Sequence, residues 1–437
     1  MTGVRRSLGW LHVAGLGVAL VIAGQYSGWN YGLAAAGWAN MVVATVLMAL
    51  LCFGLALCLA ELSAARPHSG GLYVYCADAF GSIVGSSVGS AIFLALAIGT
   101  GAASEFVSAY ASHVIGFGGW PLKIGMFAAI LALHLRGAGE AMWLIVAAGL
   151  CAVLGILVFD IAMIPHFAIA NLTPGGGRLH VEAAGIFASI PYAIWLFISV
   201  EQSAAASEEV SDPARDMPRG IVAAVLTLLV SALGVLVLGA GAGGIERIGQ
   251  AADPLYAAMS GVPAGVPHWI VVMVGLSGIL GLVATLFSLV YAASRQMFAL
   301  ARDGVAIGAL ASINRFSAPD KALILTCAIG LAASALPPDR VMLAVVLSLS
   351  GSYVVLLAAF IRLRLIRPDL IRPFRAWGGI PMATAALLLA AALFIACFRA
   401  DVRVLIGLGL WIALVTGMNL MRRKNAASPR ERIADVV

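Results

Sequence analysis

The 437-residue sequence predicts an all-α polytopic membrane protein with twelve spanning helices, and three observations support that class. The chain is 62% hydrophobic and only 11% charged, with a mean hydropathy of +1.03; soluble domains are about a quarter charged. Apolar stretches near the roughly 20 residues needed to cross a bilayer fall at 10–35, 39–62, 84–111, 121–135, 141–163, 185–206, 220–243, 267–293, 321–336, 341–363, 380–398 and 403–421. Basic residues are distributed on one side: with the N-terminus inside, 20 of the 26 lysines and arginines fall in inside segments. The positive-inside rule then predicts a multi-pass protein of a plasma membrane of the bacterial inner-membrane type, with both termini cytoplasmic. The net charge of +6 is accounted for by this asymmetry and calls for no nucleic-acid partner; the partner is the lipid bilayer.

The first span is interrupted. Apolar residues run from Leu11 to Ala23 and resume at Tyr31, but Gly24, Gln25, Tyr26, Ser27, Gly28, Trp29 and Asn30 lie between them. In hydrocarbon every backbone amide and carbonyl needs an internal partner, so unwound chain at membrane depth must be buried in protein or line a cavity. Arg5 and Arg6 precede this span as they would a signal peptide, but its length and the eleven spans after it predict no cleavage. A second interruption falls in the sixth span, where Pro191, Trp195 and Glu201 break an apolar run. Broken helices at corresponding positions of two halves point to a secondary transporter built from inverted repeats, with its site at the breaks.

The remaining elements are justified in chain order. Span 2 runs into Ala60-Glu-Leu-Ser-Ala-Ala-Arg-Pro-His-Ser-Gly-Gly-Leu-Tyr-Val-Tyr75, where Pro67 and Gly70-Gly71 stop the helix and Glu61 and Arg66 are expected at the aqueous boundary. Span 6 is followed by Ala206-Ser-Glu-Glu-Val-Ser-Asp-Pro-Ala-Arg-Asp-Met-Pro-Arg-Gly220 and span 8 by Ser294-Arg-Gln-Met-Phe-Ala-Leu-Ala-Arg-Asp-Gly304. Trp10, Trp38, Trp120, Trp269, Trp377 and Trp411 fall near span ends as interfacial belts. Cys52, Cys58, Cys76, Cys151, Cys327 and Cys397 read as small buried hydrophobes, and Asp160 as an interfacial residue.

Taken together, these three stretches and the broken first helix resemble the amino acid-polyamine-organocation (APC) permease superfamily. Gly24-Gln-Tyr-Ser-Gly-Trp-Asn-Tyr-Gly-Leu33 and Pro191-Tyr-Ala-Ile-Trp-Leu-Phe-Ile-Ser-Val-Glu201 resemble its ethanolamine permease family most closely. The resemblance implies the five-plus-five inverted-repeat fold of LeuT type with discontinuous helices 1 and 6. It places repeat one at about 10–163, repeat two at about 185–363 and added helices at about 380–421, making one transporter domain over 1–421 before a cytoplasmic tail at 422–437. One position departs from the pattern: Gln25 stands where ethanolamine permeases carry an acidic residue.

No enzyme motif is present. The histidines lack metal-binding spacing, and there is neither a Gly-x-Ser-x-Gly nor a phosphate-binding Gly-x-x-x-x-Gly-Lys-Ser/Thr, so no catalytic residue, metal or cofactor is expected. Candidate substrate-binding residues are Gly24, Gln25, Tyr26, Gly28, Trp29 and Asn30 at the first break, and Tyr192, Trp195, Phe197 and Glu201 at the second. Half-helix ends attract charged groups, and aromatic faces attract ammonium groups. Glu105 joins them because Gly101, Glu105, Ser108 and Ser112 form a small, polar face at helical spacing. A mid-span carboxylate is costly unless it faces the protein interior.

Candidates for coupling to H⁺ or Na⁺ are Glu105, Glu201, Thr285 and Ser288, with facilitated exchange the alternative to coupling. The expected function is secondary active import of a small amine, with ethanolamine leading and a neutral amino acid as the alternative within the class. A non-transporting amine or amino acid sensor is the alternative of another class.

Overall fold

The computed structural model describes residues 8–66, 72–137, 141–173, 178–203, 210–262 and 265–398, together with scattered positions between 406 and 417. The described chain is helical, with a single β-bridge between Leu8 and Val210. Its helices are α1 (Trp10–Val21), α2 (Ala23–Tyr26), α3 (Tyr31–Ala36), α4 (Trp38–Ala65), α5 (Leu72–Phe80), α6 (Ser82–Val114), α7 (Gly119–Leu135) and α8 (Ala141–Met163). There follow α9 (Ala183–Ala193), α10 (Pro213–Gly234), α11 (Ala240–Gly243), α12 (Ile245–Ile248), α13 (Pro254–Ser260), α14 (His268–Arg302), α15 (Asp320–Ala333), α16 (Pro338–Ile366) and α17 (Gly379–Cys397). Among the described residues, eight helices are long and apolar enough to cross a membrane. The last expected span, 403–421, and the tail after it lie largely outside the described residues.

Both expected breaks are visible. The first span is divided into α1, α2 and α3; after Tyr26 the chain turns extended at Ser27 (φ −156°, ψ 151°) and passes through Gly28 at φ 100°, a conformation that glycine adopts without a Cβ clash. In the sixth span Pro191 removes one amide donor near the end of α9, a 3-10 turn covers Ile194–Leu196, and Ser199 sits at φ 78°. The seventh span bends through a π-helical turn at Val235–Gly239 that joins α10 to α11.

The packing has an internal pattern. α6 lies against α14, α1 against α10, α4 against α9, α8 against α14 and α6 against α16. When α1–α8 and α9–α16 are exchanged span for span, the α6–α14 pair maps onto itself. The exchange also turns α1–α10 into α9–α4 and α8–α14 into α16–α6. α17 packs outside this arrangement, on α16 and α4.

One expectation is corrected. Glu61 is not a solvated boundary charge; it is 1% exposed. Arg364 of α16 grips its carboxylate with two nitrogens, Arg372 approaches to 3.1 Å, and the Ala376 amide donates to it at 2.7 Å. The segment between α16 and α17 folds over the end of α4, which removes the water a boundary charge would have and replaces it with two guanidiniums. Arg66, by contrast, pairs with Asp78 of α5 at the surface.

Removing one partner of a buried pair leaves an uncompensated charge and costs about 3–5 kcal/mol. Glu61→Ala is therefore expected to lower the thermal unfolding temperature of the detergent-solubilised protein markedly, and Arg66→Ala to leave it nearly unchanged. Equal effects of the two substitutions would contradict the burial argument.

Candidate functional site

The first break is held open by hydrogen bonds that replace the missing helical ones. Asn30 accepts from the Gly28 amide at 3.0 Å and donates to the carbonyls of Ile248 and Ala251 at 2.6 and 2.9 Å. The Ser27 hydroxyl donates to the Ala252 carbonyl at 2.8 Å, while the Ser27 carbonyl accepts from the Trp195 indole at 3.1 Å. Tyr110 donates to the Tyr26 carbonyl at 2.9 Å, and the Trp29 indole to the Gln25 carbonyl at 3.0 Å. Gln25 donates to the carbonyls of Leu196 and Leu228 at 3.2 and 3.0 Å, tying the first break to the second and to α10. The Tyr26 hydroxyl donates to the Ala152 carbonyl of α8 at 2.8 Å and lies 3.0 Å from the Ser277 hydroxyl of α14.

A cavity of about 30 Å³ lies between the breaks. Leu20, Ala23 and Gly24 form one wall, and Trp195, Ile198 and Ser199 the second. Gly99, Ala103 and Phe106 of α6, Thr285 and Leu289 of α14 and Val345 of α16 close it. Among the described residues no carboxylate lines it. Its polar side chains are the Ser199 and Thr285 hydroxyls and the Trp195 indole. The walls touch at Gly24, where an added Cβ would lie 2.4 Å from the Trp195 carbonyl oxygen.

The expected residues divide by position. Gly24, Trp195 and Thr285 line the cavity. Gln25, Tyr26, Trp29 and Asn30 are fully buried, with their donors used to brace the break. Gly28 packs under Trp195 and Met342, Phe197 is fully buried in the core, and Tyr192 packs against Gly32. Thr285 donates to the Ala19 carbonyl at 2.7 Å and accepts weakly from the Ala23 amide at 3.4 Å, so it caps the end of α1. Ser288, 2% exposed, has no hydrogen-bond partner among the described residues.

Glu105 lies outside the cavity wall, in an ion pair with Lys123 of α7, which also donates to the Ser334 carbonyl at 3.2 Å and stands 4.9 Å from the centre of the Trp120 ring. The polar stripe of α6 therefore faces α7 and α15, and Gly101 of that stripe abuts the Gly330 carbonyl. The cavity instead receives the neighbouring apolar stripe Gly99, Ala103 and Phe106, spaced 4 and 3, which sequence reasoning passed over.

Glu201 is 1% exposed; one oxygen accepts from Gln202 at 3.0 Å and the other is buried without a partner. Tyr353 of α16 and Cys52 of α4 are its electrostatic neighbours. Asp160, near the end of α8 and partly exposed, packs against Gly234 at the start of the π-helical turn, with one oxygen buried and unpartnered among the described residues. Among the described residues no group of histidines, cysteines and acids has metal-holding geometry.

Comparison with known proteins adds the family. The family model for amino acid permeases matches residues 8–419. A branched-chain amino acid permease of Bacillus subtilis is 24% identical over 405 residues, covering 87% of this chain and 85% of its own length. An uncharacterized transporter of Rhizobium meliloti is 27% identical over 311 residues, and the match spans 68% of this chain and 65% of that transporter. An L-methionine/branched-chain amino acid exporter of Escherichia coli is 26% identical over 231 residues, covering 52% and 54% of the two chains. With the family's pattern running through nearly all of its length, the chain belongs to the amino acid permease family, and it is a membrane transporter rather than an enzyme.

Proposed function

We propose that this permease carries neutral, apolar amino acids by alternating access between two inverted five-helix repeats, in a twelve-helix fold with both termini cytoplasmic and one added helix pair. The exchange-related helix pairings and the two breaks support the repeat.

The observation that carries the substrate reading is the lining of the cavity. Mostly apolar side chains surround it, and among the described residues no carboxylate faces in. A zwitterion needs none, because the two half-helix ends attract its two charges: amides at the start of a half-helix favour its carboxylate and carbonyls at the end of a half-helix its ammonium. The names of the Bacillus and Escherichia relatives, a branched-chain permease and a methionine/branched-chain exporter, favour the same side-chain class. At about 30 Å³ the cavity has room for one or two waters, so a substrate enters only as the walls part.

Ethanolamine is the second reading, favoured by the Gly24–Leu33 and Pro191–Glu201 stretches. It lacks a carboxylate and needs an anionic partner for its ammonium, and neither Glu105 nor Glu201 lines the cavity.

Coupling is assigned to a proton on Glu201. Glu201 is buried at the second break beside Tyr353 of α16, and ionisable side chains buried within membrane spans mark proton relays. Ser288, unpartnered among the described residues, and Thr285 are the sodium alternative on α14.

In proteoliposomes, leucine uptake is expected to exceed ethanolamine uptake at equal concentration by about tenfold or more, the factor that roughly 1.4 kcal/mol of selectivity gives. The reverse order would restore the amine reading, and binding of leucine without uptake would indicate a sensor.

Glu201→Gln is expected to abolish the acceleration of uptake by an inward proton gradient while leucine still stabilises the purified protein against heat. A gradient response unchanged from wild type, or one driven by sodium instead, would remove Glu201 from coupling. Gly24→Val is expected to block uptake, since its Cβ meets backbone; wild-type transport by this variant would take Gly24 out of the site.

A further inference from the structure

A second concavity lies apart from the transport cavity. Where α10 begins, beside the start of α1 and the segment leading into α17, a groove of about 610 Å³ opens to the surface. One face of α10 forms its floor: Arg215, Arg219, Val222 and Leu226, spaced 4, 3 and 4, lie in a single stripe. Trp10 and Trp377 stand at its sides, 40% and 63% exposed.

Both arginines are exposed, and neither guanidinium has an ion-pair or hydrogen-bond partner among the described residues. The nearby acids of the same helix are turned elsewhere: the Asp212 carboxylate caps the Arg215 amide at 3.3 Å, and Asp216 lies against Gly9. From the two charges the stripe passes to Val222 and to Leu226, which is 49% exposed. The groove is thus cationic at its end nearest the N-terminus of α10 and apolar one to three turns deeper, with an indole on either side at the level where aromatic side chains meet headgroups.

We infer that this groove binds an anionic phospholipid, its phosphate between Arg215 and Arg219 and an acyl chain along Val222 and Leu226. Charge selects the occupant. A zwitterionic lipid would place a trimethylammonium beside two unpaired guanidiniums, whereas an anionic headgroup offers acceptors that guanidinium pairs with in bidentate geometry. The lipid would bridge α10 to α1 and to the α17 lead-in, three segments that move relative to one another if the bundle rocks. Its binding does not depend on which substrate is carried.

The test is native mass spectrometry of the full-length protein in detergent, titrated separately with phosphatidylglycerol, phosphatidylcholine and inorganic phosphate. Phosphatidylglycerol is expected to bind at least about tenfold more tightly than phosphatidylcholine. Each basic residue near an anionic lipid contributes about a factor of five, so Arg215→Gln/Arg219→Gln should weaken phosphatidylglycerol by about 25-fold and leave phosphatidylcholine unchanged.

Ala223→Phe, which fills the apolar half and keeps both arginines, should weaken phosphatidylglycerol as well and serves if the double variant does not fold. Three results would overturn the inference: equal binding of the two lipids, phosphatidylglycerol binding undiminished in both variants, or full displacement of the lipid by millimolar phosphate. Leucine-induced thermal stabilisation, read on the same samples, reports on the substrate reading independently.

Discussion

The demand that every backbone group find a partner away from water organises this molecule. An unbroken spanning helix meets it within itself; a broken one passes the demand to its neighbours. At the first break the debt is met by Asn30, Trp29, Tyr110 and Trp195, whose side chains bond to the Gly28 amide and to the carbonyls of Gln25, Tyr26 and Ser27. What survives of the opening is a small apolar space between Gly24 and Trp195. Polar residues at the centre of the break, Gln25, Tyr26, Trp29 and Asn30, spend their donors on backbone carbonyls.

This explains how much was legible in the sequence. The positions of the breaks were, because glycine, proline and polar residues within an apolar run conflict with a spanning helix whatever surrounds it. So was the bundle of apolar helices, since composition alone excludes a soluble core. Orientation of side chains around a helix axis was not. The α6 stripe Gly101, Glu105, Ser108 and Ser112 has the periodicity of a site face, but a step of one residue turns the helix by about 100°, and the face that meets the cavity belongs to Gly99, Ala103 and Phe106. Lys123, on the next helix α7, pairs with Glu105 and holds it away from the cavity.

Glu61 was misread for a related reason. It stands near a span end, where water is the default neighbour. A later segment folds over it, bringing Arg372 to the carboxylate beside Arg364 of α16. Burial at the end of a helix depends on what the rest of the chain lays on top, and hydropathy along one segment contains no trace of it.

The bonds from Asn30 and Ser27 reach the carbonyls of Ile248, Ala251 and Ala252, in the segment that links α12 to α13. The unwound chain beside the cavity and this segment, remote in sequence and half-buried against it, are therefore one mechanical unit, since three hydrogen bonds must break before either moves alone. Coupling of this kind is reciprocal. Whatever holds the α12–α13 segment in one position, whether a lipid, an antibody fragment or a neighbouring protein, therefore also restrains the unwound chain at Ser27 and Asn30, and whatever shifts that chain loosens the agent's hold.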